Sequence, residues 1–574
     1  MNAEIQEKAE FWMSDAFDEN TKAEVKDLIE NNPRELEDAF YKDLEFGTGG
    51  LRGIMGAGTN RVNSYTIAMA TQGLANYIKK VSGNKNPGVA IAHDCRNNSH
   101  IFARKSAEVL AANDIKAYLF SELRSTPELS HAVRHLHCTA GIMITASHNP
   151  KEYNGYKVYW EDGGQIVPPN DSGIISEVRK IKTPKEINSN PKKELIAVIG
   201  EDVDNAYRKL TIKECRKPEI IKANSDMPIV FTPIHGTGIS LVPILEQLGF
   251  ENVSVVEEQK KPDGNFPTVH SPNPEEAAAL DLALKLGKEK DAEIVMGTDP
   301  DGDRIGIAVK NEQGDLILLN GNQTAAMLTH YILSTLKADK KLPENGFVCK
   351  TIVTSELLDR ISEKFNLPCY STLTGFKYIA EKIRERDGKE KFICGGEESY
   401  GFLVGDSVRD KDANVTGALL CEIATWARSI GSSFYNELLN VYAEYGLYRE
   451  ALVSLVKKGK DGAKQINQIM QGYRDNTPAE ISGSEVMEMR DYQKGEITDM
   501  RSGVKRKTGL PKSNVVQFYL ADGSKVTARP SGTEPKIKFY FSLHAELNAT
   551  ADYERVSKQL DNRIDELKAA FVSS

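Results

Sequence analysis

The sequence predicts an α/β protein: three related doubly wound α/β domains and a C-terminal α+β domain, arranged around a shared cleft. Three observations predict it. Short apolar runs alternate with helical stretches through the middle of the chain, as they do in parallel sheets with crossover helices. The order strand, helix, strand, helix, strand, polar motif runs three times, starting near residues 89, 228 and 347, a spacing of domain size. The last part of the chain abandons that order for strands around loops and one amphipathic helix.

Composition bounds the rest. The 574 residues are enough for several full cores. A net charge of −9 argues against nucleic acid or an anionic membrane as partner, since either calls for a basic face. The seven cysteines are scattered, odd in number and without a CxxC pair, which points to a reducing compartment. HLHC, His135–Cys138, has no partner pair at zinc spacing. The N-terminus lacks a signal-peptide pattern and no apolar run is long enough to span a bilayer. A cytoplasmic protein, monomeric or a small homo-oligomer, is expected.

Up to about residue 40, apolar residues at helical spacing read as polar helices with a break at Pro33. NPGVAIAHD (Asn86–Asp94) is a strand behind a Pro-Gly turn, SHIFARKSAEVLAAND a helix, and GIMITA a strand that ends in SHNP. In the second pass DMPIVFTPIHGTG (Asp226–Gly238) is a strand, SLVPILEQLG a helix stopped by Gly249, and VSVVEEQ a strand. NPEEAAALDLALKLG reads as a helix with Asn273 as N-cap and Pro274 at its first position. AEIVMGT is then a strand running into DPDGDR. The third pass is GFVCKTIVTS, helix, LPCYSTLTGF, helix, KFICGG and EESYG. Each motif follows a buried strand, at the carboxyl end where open α/β sheets bind ligands. Ser147, Asp299 and Glu397 would thus reach one cleft from corresponding positions. In the final part, VVQFYLADGSKVTARPSGTEPKIKFYFSL alternates strands and loops, and DYERVSKQLDNRIDELKAAF carries Val556, Leu560, Ile564, Leu567 and Phe571 on one helical stripe. The expected domains are 1–210, 211–321, 322–440 and 441–574.

In GTDPDGDR (Gly297–Arg304), Asp299, Asp301 and Asp303 alternate straight after a buried strand. Carboxylates so grouped repel and call for a cation. The calcium-loop reading fails: counted from Asp299, positions that need glycine and glutamate hold Arg304 and Lys310. Three carboxylates with an open face suit Mg²⁺ and leave room for a phosphate oxygen, which Arg304 can contact. An acidic surface turn is the plain alternative. In TASHNP (Thr145–Pro150), Ser147 needs a base or a charge to become a nucleophile; His148 is adjacent and Lys157 follows in NGYKVYW. The hydrolase elbow G-x-S-x-G does not match, because Thr145 stands where glycine should. A serine hydrolase would also need no metal, whereas a serine that carries a phosphoryl group would. For Ser147 alone, a turn or cap is the alternative.

GGEESYG (Gly395–Gly401) offers Glu397 and Ser399 to sugar hydroxyls, or is a solvated acidic loop. ARPSGTEPK (Ala528–Lys536) combines the Arg529 fork, the hydroxyls of Ser531 and Thr533, and Gly532, where the backbone can approach an anion. That is the make-up of a cradle for a phosphate monoester, against a plain hairpin loop. FGTGGLRG (Phe46–Gly53) fits neither G-x-G-x-x-G nor the P-loop and reads as a flexible loop offering Arg52. TGFKY, with Thr374 and Gly375, and RDKDA, with Lys411, are weak by themselves.

Together, TASHNP, DPDGDR, GEES and RPSGTEPK, in this order and spacing, resemble the α-D-phosphohexomutase superfamily, the phosphoglucomutases and phosphomannomutases, from about Phe46 to the C-terminal helix. The resemblance implies that Ser147 is a phosphoserine. It implies that Asp299, Asp301 and Asp303 hold Mg²⁺ with a phosphate oxygen of that serine, and that Arg304 assists the phosphoryl group. His148 and Lys157 become acid/base candidates, and Glu397 and Ser399 grip sugar hydroxyls. Arg529, Ser531, Gly532 and Thr533 hold the non-reacting phosphate; Arg52, Thr374, Gly375 and Lys411 complete the site. The opening FGTGGLRGIMGAGTNRVN looks like the larger subgroup, which also includes enzymes acting on pentose phosphates. The implied reaction interconverts glucose 1-phosphate and glucose 6-phosphate, with glucose 1,6-bisphosphate as intermediate and activator. Mannose or pentose phosphates are the alternative substrates; a sugar phosphatase and a non-catalytic sugar-phosphate binder are the other classes.

Overall fold

The computed structural model describes residues 3–47, 49–83, 86–457, 459–531 and 536–572. The chain divides into two compact units, residues 1–320, 376–394 and 399–431 in the first, and 321–375, 395–398 and 432–574 in the second.

The first unit begins with helices Ala3–Trp12, Glu19–Asn31 and Pro33–Phe40. Trp12 stacks on Phe17 and meets Phe40 edge-on, over buried Val25 and Leu36. The break at Pro33 is a new helix start, since proline has no N–H to lose there.

Two sheets follow. The first is ordered Gly50–Ile54, Tyr153–Trp160, Ala140–Ile144, Gly88–His93, Lys116–Phe120, Ile196–Ile199. The second is ordered Leu316–Leu319, Ile305–Lys310, Ile294–Thr298, Ile229–Thr232, Val253–Val255. Their central strands are buried along their whole length, which is why they read as unbroken apolar runs and not as alternating ones.

The expected strand–helix order is present in all three passes, but the sheets of the first unit are mixed and not purely parallel. Ala140–Ile144 runs parallel to Gly88–His93, whereas Tyr153–Trp160 returns antiparallel, with Tyr156 opposite Ile144. Likewise Ile305–Lys310 returns antiparallel to Ile294–Thr298. The motifs of the first two passes are therefore hairpin connections. An antiparallel partner needs only a short turn, while a parallel one needs a crossover, so the residues after each motif are brought back beside it.

Two further expectations are corrected. Gly50–Ile54 is a strand and not a flexible loop: it pairs with Tyr153–Trp160, Arg52 opposite Gly155. A Cβ at Gly155 would stand 2.7 Å from the carbonyl oxygens of both Leu51 and Thr145, so this close approach excludes a side chain. The helix expected to start at Asn273 starts at Ala277 with Glu276 as N-cap. Asn273 instead closes a turn, its side chain accepting from Glu275 N–H (3.2 Å) and its carbonyl from Glu276 N–H (2.9 Å).

In the second unit Gly346–Thr351 and Cys369–Thr372 pair in parallel. A larger sheet runs Leu447–Val456, Lys536–Ala545, Lys525–Pro530, Val516–Leu520, Ser484–Asp491, Glu496–Asp499, Lys505–Lys507. The helix Tyr553–Val572 lies against it, with Val556, Leu560, Ile564, Leu567 and Phe571 all buried as the stripe predicts. The Phe571 ring packs among Phe518, Phe539 and Phe541. Among the described residues no helix is long and apolar enough to cross a membrane.

Leu567 is fully buried under this sheet. Leu567→Ala is expected to destabilise the second unit by about 2–5 kcal/mol, seen as an earlier denaturant transition and faster proteolysis of residues 432–574. Unchanged denaturation would show that the helix does not stabilise the sheet.

Candidate active site

Ser147 sits in the turn between Ala140–Ile144 and Tyr153–Trp160, buried and in the left-handed region at φ 52°. Non-glycine residues hold that conformation only where the surroundings determine it. Its N–H donates to Thr145 Oγ1 (2.8 Å), and its own Oγ donates to Asp299 Oδ2 (2.8 Å). His148 Nδ1 lies 3.3 Å from that Oγ. The serine of the first repeat and the aspartate of the second are thus in direct contact.

Asp299, Asp301 and Asp303 are all buried, with ligand oxygens within 4.8 Å of one another. Asp299 Oδ1 accepts from the N–H groups of Asp303 (3.1 Å) and Arg304 (3.0 Å), which shapes the turn. Asp301 Oδ2 accepts from Thr126 Oγ1 (3.0 Å) and from Lys157 Nζ (2.7 Å). Lys411 Nζ approaches Asp303 Oδ2 at 3.2 Å, and Lys157 approaches the same oxygen at 3.6 Å. Lys411 reaches this place past Gly401, where a Cβ would overlap its Cδ at 1.9 Å. Its ammonium also lies 5.4 Å from the Phe376 ring centre.

The electrostatics follow from crowding. Burial, then the charges of Asp301 and Asp303, hold the Asp299 carboxyl well above the usual range. Burial works against ionisation of Asp301 as well, but the Lys157 ammonium and hydrogen bonds hold it below that range. Lys157 in turn is desolvated, yet Asp301 and Asp303 keep it charged to higher pH than a free lysine. The buried Oδ1 atoms of Asp301 and Asp303 have no hydrogen-bond partner among the described residues. Buried oxygens of this kind are costly unless a cation takes them, and all-carboxylate donors suit a hard divalent ion. The trio fits a metal.

Arg304 is turned to Glu275, with which it pairs closely, and its Nε lies 3.7 Å from Asp303. Arg52 Nη1 donates to Asn149 Oδ1 (3.2 Å) in the serine turn. In the second unit Gly375 N–H donates to Glu397 Oε1 (2.9 Å), which joins two motifs that were separate in the sequence. The Thr374 hydroxyl beside it is buried without a partner among the described residues. Arg529 lies on Lys525–Pro530 opposite Lys538. Burial pushes the Tyr540 phenol up, Glu398 and Glu397 add to this and Arg529 opposes it, so these charges lie around one ring. Ser399 is half-buried in the turn after Lys391–Glu397, and Ser531 N–H closes its loop on Lys536 O (2.7 Å). Gly532 and Thr533 lie outside the described residues.

Several neighbours were not singled out from the sequence. Thr126, at the start of helix Thr126–His135, touches Asp301 and carried no signal. Asp410 pairs with Lys411 (3.3 Å) and accepts from Tyr159 Oη (2.7 Å). Asp94 and Arg96 bind the serine turn; an Asp-x-Arg step directly after a buried strand was the readable hint.

The phosphoglucomutase/phosphomannomutase family matches the chain in three consecutive blocks, its α/β/α domain I at residues 43–185, domain II at 210–314 and domain III at 320–444. The chain belongs to this family. Curated relatives agree. A phosphoglucomutase of Staphylococcus haemolyticus (strain JCSC1435) is 37% identical over 529 residues, covering 92% of this chain and 94% of that one. One of Staphylococcus aureus (strain MRSA252) is 37% identical over 560 residues, covering 97% and 98%. Among solved structures, a putative phosphomannomutase from Thermus thermophilus superposes with a TM-score of 0.66 at 23% identity, covering 91% of this chain and 99% of that one. The open form of parafusin, a Paramecium phosphoglucomutase, gives 0.66 at 19%, covering 92% and 96%. Both share the fold. The family's domain I block contains Ser147 and Lys157, and its domain II block contains the three aspartates.

Because burial and the neighbouring carboxylates raise the Asp299 carboxyl, metal binding is expected to compete with its protonation. Calorimetric titration with Mg²⁺ or Mn²⁺ should therefore show proton release and tighter binding as pH rises, and Asp303→Asn should abolish the binding. Binding that is indifferent to pH and to Asp303→Asn would place the metal elsewhere.

Proposed function

We propose that the protein is a phosphoglucomutase that moves a phosphoryl group between the 1- and 6-positions of glucose through Ser147. The observation that carries this reading is the contact of a buried, conformationally constrained serine hydroxyl with one carboxylate of a metal-ready trio. A hydrolase serine needs no such neighbour, whereas a phosphoryl carrier requires charge compensation at the transferring group. The curated phosphoglucomutases at 37% identity over most of the chain support the choice of glucose.

Asp299, Asp301 and Asp303 would hold Mg²⁺ together with an oxygen of phosphorylated Ser147. Bound there, Mg²⁺ neutralises charge on the transferring phosphoryl group. The resting enzyme carries phosphate on Ser147 Oγ. A free sugar hydroxyl attacks the phosphorus, its O–P bond forms as the Oγ–P bond breaks, its proton leaves to a base, and Oγ takes up a proton from protonated His148. The product of this half is glucose 1,6-bisphosphate, whose other phosphate returns to Ser147 Oγ by the reverse chemistry. His148 Nδ1, 3.3 Å from Oγ, takes the serine proton on that return. Lys157, kept cationic by Asp301 and Asp303, and Lys411 supply positive charge beside the phosphoryl group, and Arg304 and Arg52 supply further donors. Glu397 with Gly375, Thr374 and Ser399 recognises sugar hydroxyls, and Arg529 with Ser531, Gly532 and Thr533 recognises the phosphate that does not react.

A coupled isomerisation assay with glucose 1-phosphate, with and without catalytic glucose 1,6-bisphosphate, tests the reading. Turnover that requires Mg²⁺ and rises with the bisphosphate is expected; release of inorganic phosphate instead would make the protein a phosphatase. Mannose, ribose and N-acetylglucosamine 1-phosphates should be poorer substrates. Ser147→Ala should lower turnover by at least ~10³-fold and remove the single phosphate expected on the wild type by intact-mass measurement. Near-normal turnover of the folded variant would sink the phosphoserine.

The phosphate-recognition role of the Arg529 loop gives a different signature. A charge-assisted, two-pronged phosphate contact is worth several-fold to tens-fold in affinity, so Arg529→Ala should raise KM by about 10-fold or more and lower kcat less than Ser147→Ala does. Unchanged constants would make the segment an ordinary hairpin loop.

A further inference from the structure

Arg96 has no part in the chemistry above, yet its side chain donates to four carbonyls of the serine turn. It follows the strand Gly88–His93 and is 2% exposed. Its Nη2 donates to the carbonyls of Ser147 and Asn149, and its Nη1 to those of Pro150 (2.8 Å) and Tyr153 (3.1 Å). One guanidinium fork thus fastens the backbone from the serine to the start of the returning strand. Its charge is met by Asp94 at 3.2 Å, with neither side chain exposed. Asp94 also accepts from Thr145 Oγ1 (2.7 Å), Ser99 Oγ (2.8 Å) and Arg96 N–H (2.9 Å). Thr145 Oγ1 is the acceptor of the Ser147 N–H. The turn is therefore gripped on both sides of Ser147, by a hydroxyl before it and by the arginine at its own carbonyl and beyond.

A second contact ties this clamp to the segment that bears the aspartates. Gly264 packs against the Arg96 backbone so closely that a Cβ would stand 2.4 Å from Asn97 N and 2.8 Å from Arg96 C. Asn97 Nδ2 donates to Asn265 Oδ1 (3.0 Å), and the Phe266 ring centre lies 5.2 Å from the guanidinium carbon. Phe266 is buried and held at φ 46°, so it too is determined by what surrounds it. Gly264–Phe266 and Asp299–Asp303 belong to the same family block, residues 210–314.

We infer that Arg96 is a positioning residue: it sets Ser147 Oγ against Asp299, and Gly264–Phe266 key its place to the aspartate-bearing domain. The inference rests on Ser147 being the phosphoryl carrier. Misplacing reacting groups by about 1 Å can cost ~10²-fold in rate, and lysine cannot replace the fork, since a single ammonium cannot reach four carbonyls in this spread.

The test uses the full chain with Mg²⁺ and glucose 1,6-bisphosphate. Arg96→Lys, Thr145→Val and Gly264→Ala are compared in kcat, KM for glucose 1-phosphate, thermal midpoint, and the single-turnover rate at which the bisphosphate phosphorylates the Ser147 peptide. Arg96→Lys is expected to lower kcat and the phosphorylation rate together by ~10²-fold with KM within about 3-fold. The other two variants should lower both rates by about 10-fold. A lowered midpoint with undiminished rates in Arg96→Lys would make the arginine merely structural and overturn the inference. If Arg96→Lys does not fold, Thr145→Val decides, and unchanged rates there overturn it equally. Unchanged rates in Gly264→Ala remove the link to the aspartate domain. Failure of the phosphoserine itself reads differently, as an active Ser147→Ala.

Discussion

Three carboxylates buried within 4.8 Å of one another are the constraint on which the rest of the first unit depends. In water such a group would disperse; inside a protein each charge adds to the cost of the others. The surrounding structure answers that cost. Lys157 comes from the strand behind the serine, Lys411 from the segment after Gly401, Thr126 from a helix start, and the amides of Asp303 and Arg304 from the turn itself. Among the described residues two buried carboxylate oxygens remain without a hydrogen bond, and these are the atoms that a divalent ion could take.

The hairpins make this convergence possible. A purely parallel sheet would carry the chain away from each motif through a crossover. The antiparallel return after Ser147 instead places Lys157 opposite Met143, on the strand that leads into the serine turn. The return after Arg304 does the same for the aspartate turn, where Ile305 pairs with Thr298. Fixing a charged turn from both strands limits its freedom, and Arg96 limits it further from below. Placement to a fraction of an ångström is what phosphoryl transfer between oxygens asks of a protein that contributes mainly position and charge.

The elements that the sequence revealed are those with strong local signals. Buried strands in the two central sheets are continuous apolar runs, helix Leu241–Leu248 stops at Gly249 in the left-handed region, and the C-terminal helix shows its core stripe. The errors also have local causes. NGYKVYW lacks a clean two-residue alternation because both of its faces are covered, so no local pattern marks it as a strand. The glycines of FGTGGLRG suggested mobility, whereas here glycine serves close packing, as Gly50 beside the Tyr156 carbonyl shows. Asn273 is a good cap residue spent on a preceding turn.

By itself the sequence determined the α/β class, the threefold order of strands and helices, and where the grouped aspartates fall, because periodicity, glycine stops and runs of carboxylates are properties of neighbouring residues. Only the tertiary structure decided which of these groups meet. Ser147 and Asp299 are 152 positions apart and share a hydrogen bond; Lys411, indistinct in RDKDA, reaches Asp303; Arg304, adjacent to the aspartates, turns to Glu275; and Arg96 closes on four carbonyls of a turn more than fifty residues on. Such contacts depend on strand order and on which way each hairpin returns, and no local pattern encodes either.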